Sequence, residues 1–402
     1  MADRRVGAPR RSGVLRSIPW WLLVGIVFVL SRVVTTSILL FYAAQQPRNA
    51  WTSASPSYLD FAMIWDSHWY YIVAVSGYPD QLPLTDDGHV GENAWAFMPV
   101  YPALVRLLMA VTLAPYDVAA VAVSVLCALG AALIFYKLMM RVSRDHSTAV
   151  FSVVLFCVAP LSPILQVAYA ESLQLMLLVL ALYLVLQRRY LLLFPVVAVM
   201  SLVRPTGLAF ALFLALHWGY RWWRRDQEEF PRRELVTSGV LAIFSGVMGL
   251  VWLVVAWIVT GSFSAYTDTE LAWRAPYIGY QHLIPFAAWI QGANWWLGFP
   301  LGVVLLVIVL IGFTLAMLSP WVRRLGVDLR LWVLSYALYL LAVFFPQSST
   351  FRLLMPMFPL LGALAQPRSV LYRVAVVLLF IAGQIGWVHI AWWADGADWT
   401  PP

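Results

Sequence analysis

The run WWLLVGIVFVLSRVVTTSILLFYAA, residues 20–44, decides the class of the fold. It is long enough to cross a hydrocarbon core of about 30 Å, which takes roughly 20 apolar residues in a helix. A cleaved signal peptide has a much shorter apolar region of about 7 to 15 residues, so the run predicts a signal anchor. Arginines precede it at positions 4, 5, 10, 11 and 16, and they predict a cytoplasmic N-terminus.

The rest of the chain has the same apolar character. Of its 402 residues, 62% are hydrophobic and 11% are charged, which excludes a water-soluble domain and predicts one polytopic membrane domain, 1–402. The net charge of +7 does not indicate a nucleic-acid partner, because the basic residues lie between apolar runs, where they determine topology in the lipid bilayer. Cys127 and Cys157 both lie inside apolar runs, so no disulfide framework is predicted.

About eleven apolar segments are predicted to cross the membrane as helices, giving an all-α fold with its C-terminus outside. They lie near residues 20–43, 118–139, 148–166, 171–187, 190–203, 207–220, 235–259, 297–318, 330–346, 353–366 and 370–391. This threading places 20 of the 26 basic residues on the cytoplasmic side, as the positive-inside rule requires.

The same threading divides the connecting segments. Residues 1–19 form a basic cytoplasmic tail, and 45–117 and 261–296 form two large extracytoplasmic loops. Within the first loop, Pro99–Leu113 is predicted to be a helix on the outer surface. Counting it as a span would invert every later loop. Because the large loops are outside, the working face is predicted to be extracytoplasmic.

One short hairpin has a break at its tip. VRPTG, residues 203–207, joins two apolar halves that are each too short for a full crossing. Pro205 removes a backbone donor and biases Arg204 away from the helical region, so the chain must break there. Broken backbone at membrane depth is tolerated in a water-filled cavity or inside protein. The hairpin therefore predicts a cavity that contains Arg204.

Two other hairpins have the same shape. PLSPILQVAYAES, residues 160–172, puts Glu171 at the start of a helix, and PQSSTFRLLMP, residues 346–356, carries Arg352. Charges inside spans cost roughly 2.5–3.5 kcal/mol or more and tend to be functional. A second interpretation stays open, in which Glu171 favours a helix N-terminus and the arginines merely pair with it.

The stretch WDSHWYYIVAVSGYP, residues 65–79, combines acid, histidine and aromatic side chains. If Ser67–Val75 is helical, Asp66 shares a face with Trp69 and Tyr70, while His68 points away. Asp66 can then be either an ordinary helix cap or a chemical group. The aromatic side chains can be interfacial anchors or part of a site.

Other sites have weaker signals. His89 lies near Asp86, Asp87 and Glu92, but this spacing fits no metal-ligand motif, so no metal or other cofactor is predicted. The signatures of ATP-binding loops, dinucleotide folds, zinc proteases and serine hydrolases are all missing from the sequence. ATP-driven transport and the common hydrolases therefore lose their usual support.

Several stretches together resemble the PIG-V-like mannosyltransferases. Residues 65–79, followed by AFMPVYP at 96–102, resemble the first extracytoplasmic loop of that family. AYAESLQL, residues 168–175, resembles its Tyr-Thr-Glu-Ser segment, and VRPTG at 203–207 its Arg-x-x-Gly break. STFRLLMPMFPL, residues 349–360, resembles a late Arg followed by Phe-Pro. These segments cover most of the chain in the order found in the family.

The resemblance implies a GT-C fold whose active site is extracytoplasmic. The predominance of arginine among the basic residues indicates a bacterial plasma membrane. For a bacterial protein, the resemblance implies a multi-pass hexosyltransferase that moves mannose from polyprenyl-phosphate mannose to a glycan, glycolipid or protein acceptor of the cell envelope. It further implies Asp66 as catalytic base, with substrates bound by Glu171, Arg204, Arg352, Trp69, Tyr70 and His68. AYTDTELAWR, residues 265–274, matches its loop loosely, so Glu270 and Arg274 receive no role.

The residue chemistry fits that reaction independently. A carboxylate can take the proton of an acceptor hydroxyl, and a guanidinium matches the oxygens of a departing phosphate. Two alternatives stay open: a lipid-linked sugar flippase or transporter, whose sites also use broken helices and buried charges, and a non-catalytic scaffold for envelope assembly. The acidic outer loop and the absence of a repeat between the halves favour the enzyme.

Overall fold

The computed structural model describes residues 18–281 and 284–394, and helices dominate this part of the chain. Apart from one isolated bridge between Leu84 and Val90, the described residues contain no β-structure. The predicted all-α class is therefore confirmed. Most of the predicted basic tail, residues 1–17, lies outside the described residues.

Nineteen α-helices follow one another in the described residues. They are α1 (Trp20–Gln45), α2 (Tyr58–Phe61), α3 (Asp66–Ser76), α4 (Val100–Thr112), α5 (Tyr116–Ser143), α6 (His146–Val158), α7 (Glu171–Leu186), α8 (Tyr190–Ser201), α9 (Gly207–Trp223), α10 (Arg232–Thr260), α11 (Ala265–Ala272), α12 (Ala275–Ile278), α13 (Ala287–Leu297), α14 (Leu301–Leu318), α15 (Pro320–Arg323), α16 (Val327–Val343), α17 (Thr350–Leu353), α18 (Leu360–Leu364) and α19 (Val370–Trp387). Short 3₁₀ turns lie at Ala94–Ala96, Ser162–Gln166 and Met355–Met357, and a π turn, Val388–Trp392, continues α19.

Five helices in the described residues are long and apolar enough to cross a membrane: α1, α5, α10, α14 and α19 with its π turn. Four shorter apolar helices, α4, α6, α7 and α8, accompany them. These apolar helices indicate that the protein lies in a lipid bilayer. By length, then, five of the eleven predicted spans are single helices that can cross alone.

Two predicted spans are broken in the structure. Residues 353–366 form the end of α17, a 3₁₀ turn and α18, because Pro356 and Pro359 interrupt the hydrogen-bond ladder. Residues 148–166 form most of α6 and a separate 3₁₀ turn. The continuous helices predicted for these two stretches are therefore wrong. The helix predicted over Pro99–Leu113 does form, as α4.

Helix α7 lies at the centre of the bundle and carries Glu171 at its first position. It packs along α5, whose facing side is made of small residues such as Ala128, Ala131 and Ala132. The approach is so close that a Cβ atom on Gly130 would lie 2.8 Å from the sulfur of Met176. Small residues allow the two helices to approach this closely. The close approach stabilises the pair, because helices in lipid associate through van der Waals contact.

Arg32, the one charge in the first apolar run, has a structural explanation. It is buried in α1 and donates to the carbonyl oxygens of Cys157 (2.6 Å) and Ser162 (2.9 Å) and to Gln166 Oε1 (3.1 Å). These carbonyls lie at and after the end of α6, where a helix leaves its last C=O groups without partners. Lipid offers no donor for them. Arg32 therefore stabilises the segment that leads into Glu171.

A second buried polar cluster joins four helices at the opposite end of α9. His217 hydrogen-bonds Tyr190 of α8 (2.9 Å) and Asp328 of α16 (2.7 Å). Arg221 donates to the Tyr190 hydroxyl (2.9 Å) and to Glu234 of α10 (2.5 Å). This end of α8, α9, α10 and α16 is thus fastened by polar contacts, while the other end of α9 begins at the VRPTG break.

Candidate active site

A cavity of about 890 Å³ lies where several helices begin or break. Its lining includes Asp66 at the start of α3, Glu171 at the start of α7, Arg204 before α9 and Arg352 in α17. The cavity has the size usual for a small-molecule site. The structure thus brings together four residues that the sequence placed on separate segments.

These four side chains, here called the charged cluster, alternate in sign. Arg352 contacts Asp66 through Nη1, and its Nε lies 3.4 Å from Glu171 Oε1. The same Glu171 oxygen accepts a hydrogen bond from Arg204. The order is therefore Asp66, Arg352, Glu171, Arg204, with two negative and two positive charges. Buried charges are tolerated when they are paired in this way.

The charged cluster is mostly shielded from solvent. Its side chains are between 7% exposed, for Glu171, and 16% exposed, for Arg204. Asp66 is 14% exposed and Arg352 is 9% exposed. The two ends of the chain of contacts, Asp66 and Arg204, are thus its most accessible members. A ligand in the cavity would meet these two groups first.

The start of α3 explains how Asp66 is aimed. Trp65 is the N-cap residue, with a φ of 60° that bulky side chains rarely adopt. Its ring packs against Trp51, with centroids 4.5 Å apart, and its Nε1–H donates to the Trp392 carbonyl (3.2 Å). The Asp66 N–H donates to the Tyr169 hydroxyl (3.1 Å).

The Asp66 carboxylate does not cap its own helix. Asp66 occupies the first helical position of α3, and among the described residues this helix has no side-chain hydrogen bond at its cap. The carboxylate accepts from Arg352 instead. Of the two interpretations that the sequence left open for Asp66, capping is the one that the geometry does not support.

The VRPTG break is confirmed and is held from both sides. The Tyr339 hydroxyl of α16 donates to the Pro205 carbonyl (2.6 Å), and Gln174 Nε2 of α7 donates to Thr206 Oγ1 (2.7 Å). Gly207 then opens α9 against α10. A Cβ atom added to Gly207 would lie 2.6 Å from the Gly249 Cα atom, so the two backbones touch. Arg204 is thereby fixed at the cavity wall.

The other predicted site residues divide. Trp69 lines the cavity and stacks on Phe97, with ring centroids 5.7 Å apart. Tyr70 is completely buried and packs edge-on against Tyr101 at 5.0 Å, behind the lining. His68 is exposed and lies outside the residues that line the cavity. The geometry supports a binding role for Trp69 and supplies none for Tyr70 or His68.

Sequence reasoning missed several lining residues. Glu270 and Arg274 line the cavity, with a separation of 3.7 Å between their charged groups. Glu92 lines the cavity as well, and part of its side chain is exposed. Partial burial raises the pKa of its carboxyl, and the negative charge of Asp66 raises this pKa further. Gln174 could have been found, because it lies three residues after Glu171 on the same helical face.

Some polar atoms at the cavity are buried and have no hydrogen-bond partner among the described residues. They are Glu171 Oε2, Gln174 Oε1, Trp273 Nε1, Gln347 Oε1 and Arg352 Nε. Buried polar atoms without partners are costly and uncommon. Their concentration around one cavity marks the place where a polar ligand would bind.

The described residues contain no group of three or more side chains suited to a metal ion. His89, weighed as a weak metal candidate, instead stacks on Tyr280 with ring centroids 4.0 Å apart. The basic side chains among the residues that line the cavity are arginines. Two of them belong to the charged cluster, and the third is Arg274.

No family model matches the chain, and no curated protein is found to be similar to it. The chemistry of the cavity must therefore carry the functional conclusion. Carboxylates can accept a proton, guanidinium groups can hold an anion, and aromatic faces can pack against a sugar ring. The lining also has an apolar side, formed by Leu208, Leu250, Leu253, Leu340 and Val343.

Proposed function

We propose that the protein is an integral-membrane glycosyltransferase that moves mannose from polyprenyl-phosphate mannose to an extracytoplasmic glycan, glycolipid or protein acceptor. The observation that carries this proposal is the charged cluster, in which carboxylates and guanidiniums alternate at the wall of one cavity. Transfer from a lipid phosphate needs a base for the acceptor hydroxyl and cations for the departing phosphate. The charged cluster offers both.

In this mechanism Asp66 accepts the proton of the acceptor hydroxyl as that oxygen bonds to the anomeric carbon. The bond from the anomeric carbon to the phosphate oxygen breaks, and the phosphate leaves with its electron pair. Arg204 receives it, because a guanidinium has five N–H donors and Glu171 occupies only part of that set. Arg352 holds the Asp66 carboxylate in position through its Nη1 contact.

The apolar side of the cavity suits the lipid part of the donor. Leu208 of α9, Leu250 and Leu253 of α10, and Leu340 and Val343 of α16 form this side. A polyprenyl chain has no polar atoms, so it gains by packing against such side chains.

We assign the fold to the GT-C type with about eleven crossings, in a bacterial plasma membrane, with the N-terminus cytoplasmic and the cavity outside. The mechanism uses arginines as its cations and includes no cofactor.

A lipid-linked sugar flippase is the competing function, and the broken helices beside a buried charged cluster favour it. Membranes containing the protein, supplied with radiolabelled polyprenyl-phosphate mannose, separate the two. The transferase moves label from the polyprenyl lipid to another molecule. Translocation of intact lipid without such transfer would establish the flippase.

The orientation can be tested with cysteine variants. Asp87→Cys and Gln291→Cys, both exposed positions in the two large loops, should react with an impermeant thiol reagent in intact cells, and Gln227→Cys should not. Labelling of the native cysteines is expected to be low, because Cys127 and Cys157 are buried. Gln291 is the better labelling position in this loop, because it is exposed while its neighbour Gly292 is buried against Pro346. Labelling at Gln227 in intact cells would contradict an outward-facing cavity.

Arg204→Lys should lower kcat/KM for the donor by at least about tenfold. Lysine keeps the positive charge and its attraction to Glu171, but it cannot hold two phosphate oxygens with a planar fork. Initial rates with polyprenyl-phosphate mannose measure the loss. The control is Arg225→Lys, at an exposed position beside Trp222 and far along the chain from the break. Unchanged kinetics in Arg204→Lys would remove Arg204 from the phosphate role and leave it to Arg352.

A further inference from the structure

We infer that Gln174 and Glu171 form a subsite that binds hydroxyl groups of the sugar on the donor, so that Gln174 contributes to the choice of sugar. This inference rests on the proposed function and adds to it. Both residues lie on α7, one helical turn apart, and both line the cavity. Glu171 also belongs to the charged cluster, and Gln174 extends the subsite from it along α7.

Unpartnered atoms identify the subsite. Gln174 is 3% exposed, and Glu171 is buried as well. Gln174 Oε1 and Glu171 Oε2 are buried and have no hydrogen-bond partner within the part of the chain that the structure describes. An unfilled acceptor in such a place costs free energy unless a ligand supplies a donor. Two of them side by side predict a ligand with more than one donor.

The orientation of the Gln174 amide follows from its neighbour. Thr206 Oγ1 donates to the Arg204 carbonyl (3.4 Å) and so is left to accept from Gln174 Nε2 (2.7 Å). One N–H of the amide nitrogen is thereby used, and the amide oxygen is left without a partner and available to a ligand. The contact also joins α7 to the VRPTG break, so the amide is held in place before any ligand binds.

The polarity of these atoms selects the part of the donor that they can bind. The phosphate of the donor is a diester, so neither it nor the hydrocarbon chain has an O–H group to offer, whereas every sugar hydroxyl is a donor. The phosphate belongs with Arg204, at one end of the charged cluster, and the acceptor hydroxyl belongs with Asp66, at the other. The sugar then lies between them, beside Glu171 and Gln174. This order places base and leaving group on opposite sides of the anomeric carbon.

A hydroxyl-binding subsite gives selectivity. A sugar that lacks the bound hydroxyl, or holds it in the other configuration, leaves a buried acceptor without a partner. Sites built in this way discriminate more strongly than sites that only measure size. A single neutral hydrogen bond of this type predicts a discrimination of about 10- to 100-fold in kcat/KM.

The experiment compares polyprenyl-phosphate mannose with its 2-, 3-, 4- and 6-deoxy analogues as donors. With the wild-type protein, at least one analogue should be about tenfold or more poorer than mannose. In Gln174→Leu that same analogue and mannose should react with nearly equal kcat/KM, because the acceptor has been removed from the site. Gln174→Glu keeps an acceptor oxygen and should keep the discrimination. Gln174→Met removes the acceptor, as leucine does, and should lose the discrimination, which covers the case in which the leucine variant does not fold.

The control is Gln384→Leu. Gln384 is fully buried, like Gln174, but Thr35 and Val158 hydrogen-bond both ends of its amide (2.9 Å each), and it does not line the cavity. This variant should lower protein yield without changing the order of the deoxy donors. If wild-type protein transfers sugar but does not discriminate among the donors, or if its discrimination persists in the leucine or methionine variant, the subsite is overturned while the proposed function stands. If wild-type protein transfers sugar from none of the donors, both are overturned.

Discussion

Asp66→Asn should give a folded, membrane-inserted protein that binds the donor and transfers sugar at least about a hundredfold more slowly. Asparagine keeps the size of the side chain and an oxygen that can accept from Arg352, but it cannot take the proton of the acceptor. Because the Asp66 carboxylate makes no cap hydrogen bond to α3 among the described residues, this helix should start normally in the variant. Single-turnover transfer rates and donor binding, measured on the same preparation, separate chemistry from binding.

Asp87→Asn is the matched control, since it makes the same chemical change at an exposed loop position. Its transfer rate should equal that of the wild-type protein. A near-normal rate in Asp66→Asn would remove Asp66 from the base role. Glu171, the other carboxylate of the charged cluster, would then be the candidate.

Arg352→Gln should abolish transfer and destabilise the protein by about 3–5 kcal/mol, the range for removing one partner from a buried ion pair. Arg352 contacts both Asp66 and Glu171, so its loss leaves two carboxylates facing one guanidinium, that of Arg204. Thermal unfolding in detergent measures the first effect, and the donor assay measures the second.

The double variant Asp66→Asn/Arg352→Gln makes this prediction specific. It removes one charge of each sign, so the charged cluster is balanced again and much of the lost stability should return. Activity should not return, since the base is absent. If Arg352→Gln unfolds at the wild-type temperature, or if the double variant is as unstable as Arg352→Gln, charge balance is not what Arg352 provides.

Much of the local structure was predictable because its causes are local. The helix that the sequence analysis considered over Ser67–Val75 is present, over Asp66–Ser76. Pro205 predicted the break that separates α8 from α9. The interruption of residues 353–366 had the same kind of signal in Pro356 and Pro359, and the apolar composition of that stretch concealed it.

The contacts of the charged cluster were not predictable in the same way. The sequence placed Glu171, Arg204 and Arg352 on three hairpins, but Arg352 and Asp66 are separated by 286 positions, and no local rule pairs them. Gln174 was overlooked although it lies three residues after Glu171 on the same helical face, because the missing partner of its amide oxygen is seen only in the structure. The partner of Arg32 was equally hidden, since it is the broken end of another helix.

The most direct test of the transferase uses purified protein reconstituted in vesicles with polyprenyl-phosphate mannose. Membranes from a strain that lacks the protein supply the acceptors. The quantities measured are free polyprenyl phosphate released and mannose joined to a new molecule. The proposed function predicts equal amounts of the two with wild-type protein and almost none with Asp66→Asn. Donor lipid that crosses the vesicle membrane with its sugar–phosphate bond intact, at the same rate for both proteins, would contradict it.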